Sequence, residues 1–263
     1  MQKSELGSRG KAHILGWRGV ILLLSVSLLF TGACRKKMEQ AKKHFDQGIQ
    51  YEAQKKVEEA VREFRQAIQL EPDYVDAHFH LGGVYHLIKG YSAALEEYEK
   101  VLRINPNYPK IHTALGNLYY ERGLKAWGRA IKLDWVTYLH PDTLRQLPFK
   151  DRTELLKLIE GYQNKVNADT VDAETFSKLS QAYFWLAAGE YQTATQASAS
   201  DTMAQLYLGM TYSEQGYPDK AMVQCEILKK LDPQAGGLLL QVLKQKETEN
   251  LELEQMRKKR QLK

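Results

Sequence analysis

Three histidines, His78, His80 and His86, lie close together in one stretch of the chain, and this is the first place to look for a metal site. A chelate on a helix needs its ligands one turn apart, on one face. His78 and His80 are two residues apart, which turns them to different faces at about 100° per residue, so HFH does not form a helical chelate. The sequence contains no HExxH, no CxxC pair, no P-loop and no GxGxxG, and no serine stands in a G-x-S-x-G context. Gly82-Gly83 falls in a helical pattern and not in a phosphate-cradling loop. His140, Asp142 and Asp151 stand in the 124–200 stretch, in a loop pattern, and they carry no catalytic signature. The residues therefore predict no catalytic site, no metal and no cofactor.

The two cysteines, Cys34 and Cys225, stand near opposite ends of the chain and are read separately. Cys34 closes the stretch LLFTGACRKK. Residues 1–18 are polar and carry Lys3, Arg9, Lys11 and Arg18 against Glu5; residues 19–33 are apolar and uncharged; small residues precede Cys34. This is the layout of a secretory signal peptide. Fifteen helical residues span about 22 Å, short of a bilayer core of about 30 Å. A single-pass N-terminal anchor would have to extend through Trp17 and past Arg18, and it is the alternative. Much of the formal net charge of +5 sits in this leader, so charge gives no reason to expect a nucleic-acid partner.

Behind these residues stand the elements that must position them, and they repeat. Residues 41–74 and 75–108 align without a gap. Gly48 meets Gly82, Tyr51 meets Tyr85, Ala60 meets Ala94, Phe64 meets Tyr98, Leu70 meets Ile104 and Pro72 meets Pro106. A third copy opens at Pro109 with Leu115, Gly116 and Tyr119 in phase. Residues 202–235 repeat the pattern through Leu208, Gly209, Tyr212, Ala221, Leu231 and Pro233, with Cys225 where Phe64 and Tyr98 stand. Apolar residues recur every three to four positions within each half, which is the period of a helix. Glycine and alanine let two helices approach, rings fill the space between them, and proline ends each unit. Cys225 is expected to be a buried interior residue.

This closely resembles the tetratricopeptide repeat, TPR, a helix–turn–helix unit. Thr31-Gly32-Ala33-Cys34 likewise resembles a bacterial lipobox, although Thr31 stands where leucine is usual. The two resemblances imply an all-α superhelical solenoid with degenerate central units and a C-terminal capping helix. The expected organisation is a signal peptide at 1–33, a lipidated N-terminus on Cys34 with a polar tether to 40, and TPR units at 41–136, the third degenerate. A loop and an extra helix follow at 137–170, helix-capped by Asp151 and Glu154, then TPR-like units at 171–235 and a capping helix with a basic tail at 236–263. Within this plan, ERGLKAWGRAIKLDW reads as a shortened second helix and 171–201 as a degenerate unit of its own.

TPR units present their first helices to a concave groove. The resemblance places Phe45, Ile49, Phe79, Gly83, His86, Asn117 and Tyr120 along it, an apolar and aromatic strip suited to a protein or peptide. Carboxylate-clamp TPR proteins use a set of Lys, Asn and Arg in that groove; only Lys110 and Asn117 match here, so that function is not expected. The sequence thus predicts a non-enzymatic interaction scaffold of the bacterial envelope, facing the periplasm. It is held by lipid on Cys34, and Arg35 after the cysteine favours the outer membrane. Pilus-biogenesis pilotins and envelope-assembly factors form the broad class it resembles. A cell-wall hydrolase with TPR accessory units and a self-assembling structural subunit are the alternatives.

Overall fold

The computed structural model describes residues 35–108, 110–133, 152–166 and 172–261. The leader, Cys34, the 137–150 loop, His140, Asp142 and Asp151 lie outside these residues. The described residues are helical throughout, with no strand among them. They form α1 (35–53), α2 (Val57–Leu70), α3 (Val75–Leu87), α4 (Tyr91–Ile104) and α5 (Ile111–Leu133). After these come α6 (Arg152–Val166), α7 (Ala173–Ala197), α8 (Thr202–Glu214), α9 (Pro218–Leu231) and α10 (Pro233–Gln261). This is an all-α fold of TPR-type helix pairs. It divides into two compact units, one ending at Ile88 and one beginning at Lys89.

In the N-terminal unit, α1, α2 and α3 enclose a core of Ala60, Phe64, Leu81 and Val84. Gly48 makes the close approach: a Cβ there would lie 2.5 Å from the Phe64 ring. Phe64 is fully buried, and truncating such a ring costs about 3–5 kcal/mol. The expected tether at 35–40 is instead the exposed opening of α1.

The connections between successive helices share one backbone feature. Lys55, between α1 and α2, has φ 59°; Lys89, between α3 and α4, has φ 62°; Gly216, between α8 and α9, has φ 75°. All three fall at the same repeat phase, and at each the backbone leaves the right-handed helix. The third copy has Gly123 at this phase, and there the expected turn is absent. The helix α5 continues through Gly123 to Leu133, burying Ala126 and Ala130.

The partner of α5 comes from far along the chain. Helix α7 packs antiparallel to it, with α6 on α7. A Cβ on Gly116 would lie 2.5 Å from the Tyr191 ring, and one on Gly123 would lie 2.7 Å from the Phe184 ring. Both steps are seven residues, two turns of helix, so the same seam recurs along both partners. Ser180 Oγ donates to the Gly123 carbonyl at 3.0 Å across this seam.

Tyr191 thereby does for Gly116 what Phe64 does for Gly48. Its register confirms the role. Phe64 precedes the start of α3 by eleven residues, and Tyr191 precedes the start of α8 by eleven. Ala187 and Ala194 occupy the phases of Ala60 and Ala67, and all four are buried. The segment 171–201 is therefore not a degenerate unit with its own first helix. Its second half is the second helix of the third unit, separated from the first by an insertion that lengthens both helices. Asp172 starts α7 by accepting from the Thr175 N–H at 2.8 Å.

The last pair, α8 and α9, is covered by α10. Cys225 is fully buried, as expected, and its Sγ donates to the Gly236 carbonyl at 3.3 Å. A cysteine leaves room that a ring would fill. Leu239 of α10 fills it, with its side chain against Gly209. The capping helix thus repairs the core of the final unit.

Candidate partner-binding surfaces

The sequence-predicted strip is distributed over both units, and its members behave differently. In the N-terminal unit, Phe45 is half-buried. Its ring lies 5.9 Å from Phe64, 5.1 Å from Tyr74 and 5.5 Å from His80. Ile49 packs on the same core. These two residues hold α1 against α2 and α3 at least as much as they face outward. Phe79 is half-buried, edge-on to His80 at 5.6 Å, and His86 is half-buried in the last turn of α3.

His80 and Tyr74 are site residues that the strip omitted. The His80 ring stacks on Phe64 at 5.7 Å, and its Nδ1 donates to Glu52 Oε2 at 2.9 Å. The ring is thus held between Phe45, Phe64 and Phe79, with a carboxylate fixing its orientation. The HFH triplet was visible in the sequence, but only the pairing of α1 with α3 shows that His80 joins the rings. His78 faces elsewhere: its Nε2 donates to the Pro72 carbonyl at 2.9 Å and fastens the turn before α3. The histidines thus have separate roles, and among the described residues no group of three His, Cys, Asp or Glu side chains is placed to hold a metal.

In the C-terminal unit, Asn117 accepts from the Tyr191 hydroxyl at 2.8 Å. Tyr120 corrects the sequence expectation. It is only 5% exposed, packed 5.6 Å from Phe184 and 5.7 Å from Tyr207. Burial first, and then the nearby Glu214 carboxylate, holds its hydroxyl far above the usual tyrosine range. Tyr191 is raised as well, again by burial first and then by Tyr207. Tyr120 is a core residue because α7 and α8 both pack on α5, which the separate reading of 171–201 did not anticipate. Lys110, the residue before the start of α5, is exposed with φ 66°.

His112 Nδ1 donates to Glu190 Oε2 at 2.7 Å, and Thr113 Oγ1 donates to Asp201 Oδ2 at 2.9 Å. These bonds tie the start of α5 to the end of α7 and to the cap of α8. They are long-range in sequence and serve the seam. No helix among the described residues is long and apolar enough to cross a membrane.

Helix pairs in this register, with a ring against a glycine and a left-handed turn between them, define a TPR array. Residues 39–88 and 90–123 match the family model described as TPR repeat. The chain carries TPR repeats. No curated protein matches it. Among solved structures it resembles TTC0263, a thermophilic TPR protein in Thermus thermophilus, at 16% identity and TM-score 0.38, over 79% of this chain and 99% of that one. It also resembles YrrB, a TPR protein with an unusual peptide-binding site, at 17% identity and TM-score 0.33, over 82% and 97%. A third likeness is to Pseudomonas aeruginosa pilF, at 19% identity and TM-score 0.32, over 80% and 98%. At these scores the structures say nothing of what this chain binds.

Proposed function

We propose that the chain is a non-enzymatic protein-binding scaffold of the bacterial cell envelope, anchored by lipid on Cys34. The repeat array is the observation that carries this reading. TPR domains generally act by binding protein or peptide partners. Here α1 and α3 carry a ring cluster that ends in the half-buried Phe79, and His86 is half-buried in the last turn of α3. A partner helix or extended peptide laid on that edge would desolvate rings that lose little conformational entropy.

The envelope address rests on Gly32-Ala33-Cys34 after an apolar run and on Arg35-Lys36-Lys37 after it. Lipid on a thiol, with a second acyl signal, holds a protein stably on a bilayer where one chain does not. The residue after the cysteine favours the outer membrane, with the repeats in the periplasm. A pilotin-like or envelope-assembly role fits this reading.

The test of the anchor is the N-terminus of the protein recovered from membranes. Mass spectrometry is expected to find an acylated peptide beginning at Cys34, and Cys34→Ser is expected to release the protein to the soluble fraction. An intact leader in the mature protein would overturn lipidation in favour of an uncleaved anchor.

A further inference from the structure

The C-terminal unit contains a cleft of about 630 Å³ that the repeat pattern does not call for. One wall is the start of α4, from Lys89 to Ala93; the opposite side is built by α5 and α7. Three cations enter it from one face of α5: Arg122, Lys125 and Arg129, spaced three and four residues apart. The last two lie on the part of α5 that extends past the ordinary turn position.

These cations are held by rings. The Arg122 guanidinium lies 4.4 Å from the Tyr183 ring centroid, Arg129 lies 5.4 Å from that of Phe176, and Lys125 lies 5.5 Å from that of Tyr91. The carboxylate nearest in sequence, Glu121, lies at the α4 wall of the cleft, where it accepts from Lys89 Nζ at 2.6 Å and from the Tyr91 hydroxyl at 3.2 Å and so offsets the charge of Lys89. Among the described residues, no ion pair involves Arg122, Lys125 or Arg129. A guanidinium beside an aromatic face is pre-organised, and its paired N–H donors match a planar, two-oxygen acceptor.

The wall opposite adds to the field. Gly90 caps α4 with no side-chain hydrogen bond, and the first turn of α4 carries no acidic residue. Helices α7 and α8, by contrast, each have an aspartate cap. The positive end of α4 therefore opens on the cleft without a compensating carboxylate from its own first turn, where an anion is favoured. The floor includes Ala126, Phe176 and Leu179, which suits aliphatic carbon.

We propose that this cleft docks an acidic segment of a partner protein, with carboxylates on Arg122 and Arg129 and side-chain carbon on Phe176 and Leu179. A concave, half-apolar cleft of this volume takes a few side chains of a peptide. It does not suit a flat bilayer, and its apolar floor contributes nothing to a free phosphate. The site is independent of the ring cluster on α1 and α3.

The test uses the full chain and a fluorescein-labelled peptide of alternating glutamate and leucine, read by anisotropy at low ionic strength and at about 0.3 M salt. Wild-type protein is expected to bind, more weakly in salt. The double variant Arg122→Gln/Arg129→Gln is expected to lose at least about tenfold in affinity. Arg122→Lys/Arg129→Lys, which keeps the charge and loses the fork, is expected to fall between. Phe79→Glu and Lys258→Gln/Lys259→Gln are expected to leave affinity unchanged, so a failed ring-cluster reading and a failed cleft reading are separable. Lys125→Gln, an exposed change, keeps the test intact if the arginine variants lose helical signal. No binding by wild type would overturn the proposal, as would equal loss in the tail variant. So would binding of phosphatidylglycerol vesicles or inorganic phosphate through Arg122 and Arg129 with none of the peptide.

Discussion

Gly116 and Tyr191 make the contact that organises the C-terminal unit, and only one of them was readable in advance. Gly116 stands in repeat phase with Gly48, so a close approach of a second helix was expected there. The ring comes from Tyr191 because the helix that should have supplied it nearby continues α5 instead. Cys225 was readable in full, since its phase alone places it in the core. Its repair by Leu239 was not, because no repeat phase covers α10. That exchange of size gives a residue-scale prediction. Cys225→Phe is expected to lower stability by about 1–3 kcal/mol through overpacking. Leu239→Ala alone is expected to lower it by about 2–5 kcal/mol. The double variant is expected to be more stable than the sum of the two changes predicts, measured by urea denaturation. Strict additivity would mean that the two side chains do not share one space.

The buried tyrosines supply a second prediction at this scale. Burial raises the hydroxyl of Tyr120 and Tyr191 above that of an unfolded tyrosine, whose value is about 10. The neutral form is the one the fold holds. The stabilising contribution is thus complete below about pH 10 and is lost as pH rises above it, since only the unfolded chain then releases those protons. Absorbance of tyrosinate near the ultraviolet edge is expected to show a late fraction that appears together with loss of helix. Titration of every tyrosine before unfolding would contradict the burial.

At the scale of elements, the helix period and the proline and glycine punctuation located nearly every helix. They did not say which helix pairs with which. The reading of ERGLKAWGRAIKLDW as a shortened second helix followed the repeat length, and Gly123 even stands at the phase where Lys55, Lys89 and Gly216 turn the chain. Periodicity is blind to this choice, because a continued helix and a new one share the same 3.6-residue period. The packing of Phe184 over Gly123 favours continuation. If α7 supplies the missing second helix, joining Glu121 directly to Gln181 should restore an ordinary unit. That shortened chain is expected to keep a strong helical signal and one cooperative thermal transition by circular dichroism, while losing Arg129 and Phe176 and with them peptide binding. A chain that no longer folds would contradict the assignment of α7. Lys55→Gly offers a smaller check: relief of a left-handed lysine, partly offset by backbone entropy, is expected to raise stability by up to about 1 kcal/mol.

For the molecule as a whole, the all-α repeat architecture was legible because TPR units carry their packing rules in small residues at fixed phases. The proposed partner surface was legible only in part. Phe79 remains at the edge of the ring cluster and His86 is half-buried in the last turn of α3, whereas Phe45 and Ile49 pack on the core and Tyr120 is buried. Exposure depends on which elements cover a helix face, and one sequence does not state that. The central claim is that the chain works by holding a partner on the ring cluster of α1 and α3. The most direct measurement is a crosslinked capture from membranes, comparing wild type with Phe79→Glu at equal helical content. The account predicts a defined partner set captured by wild type and reduced at least about tenfold in the variant. Capture of the same set in undiminished amount by a folded Phe79→Glu protein would contradict it.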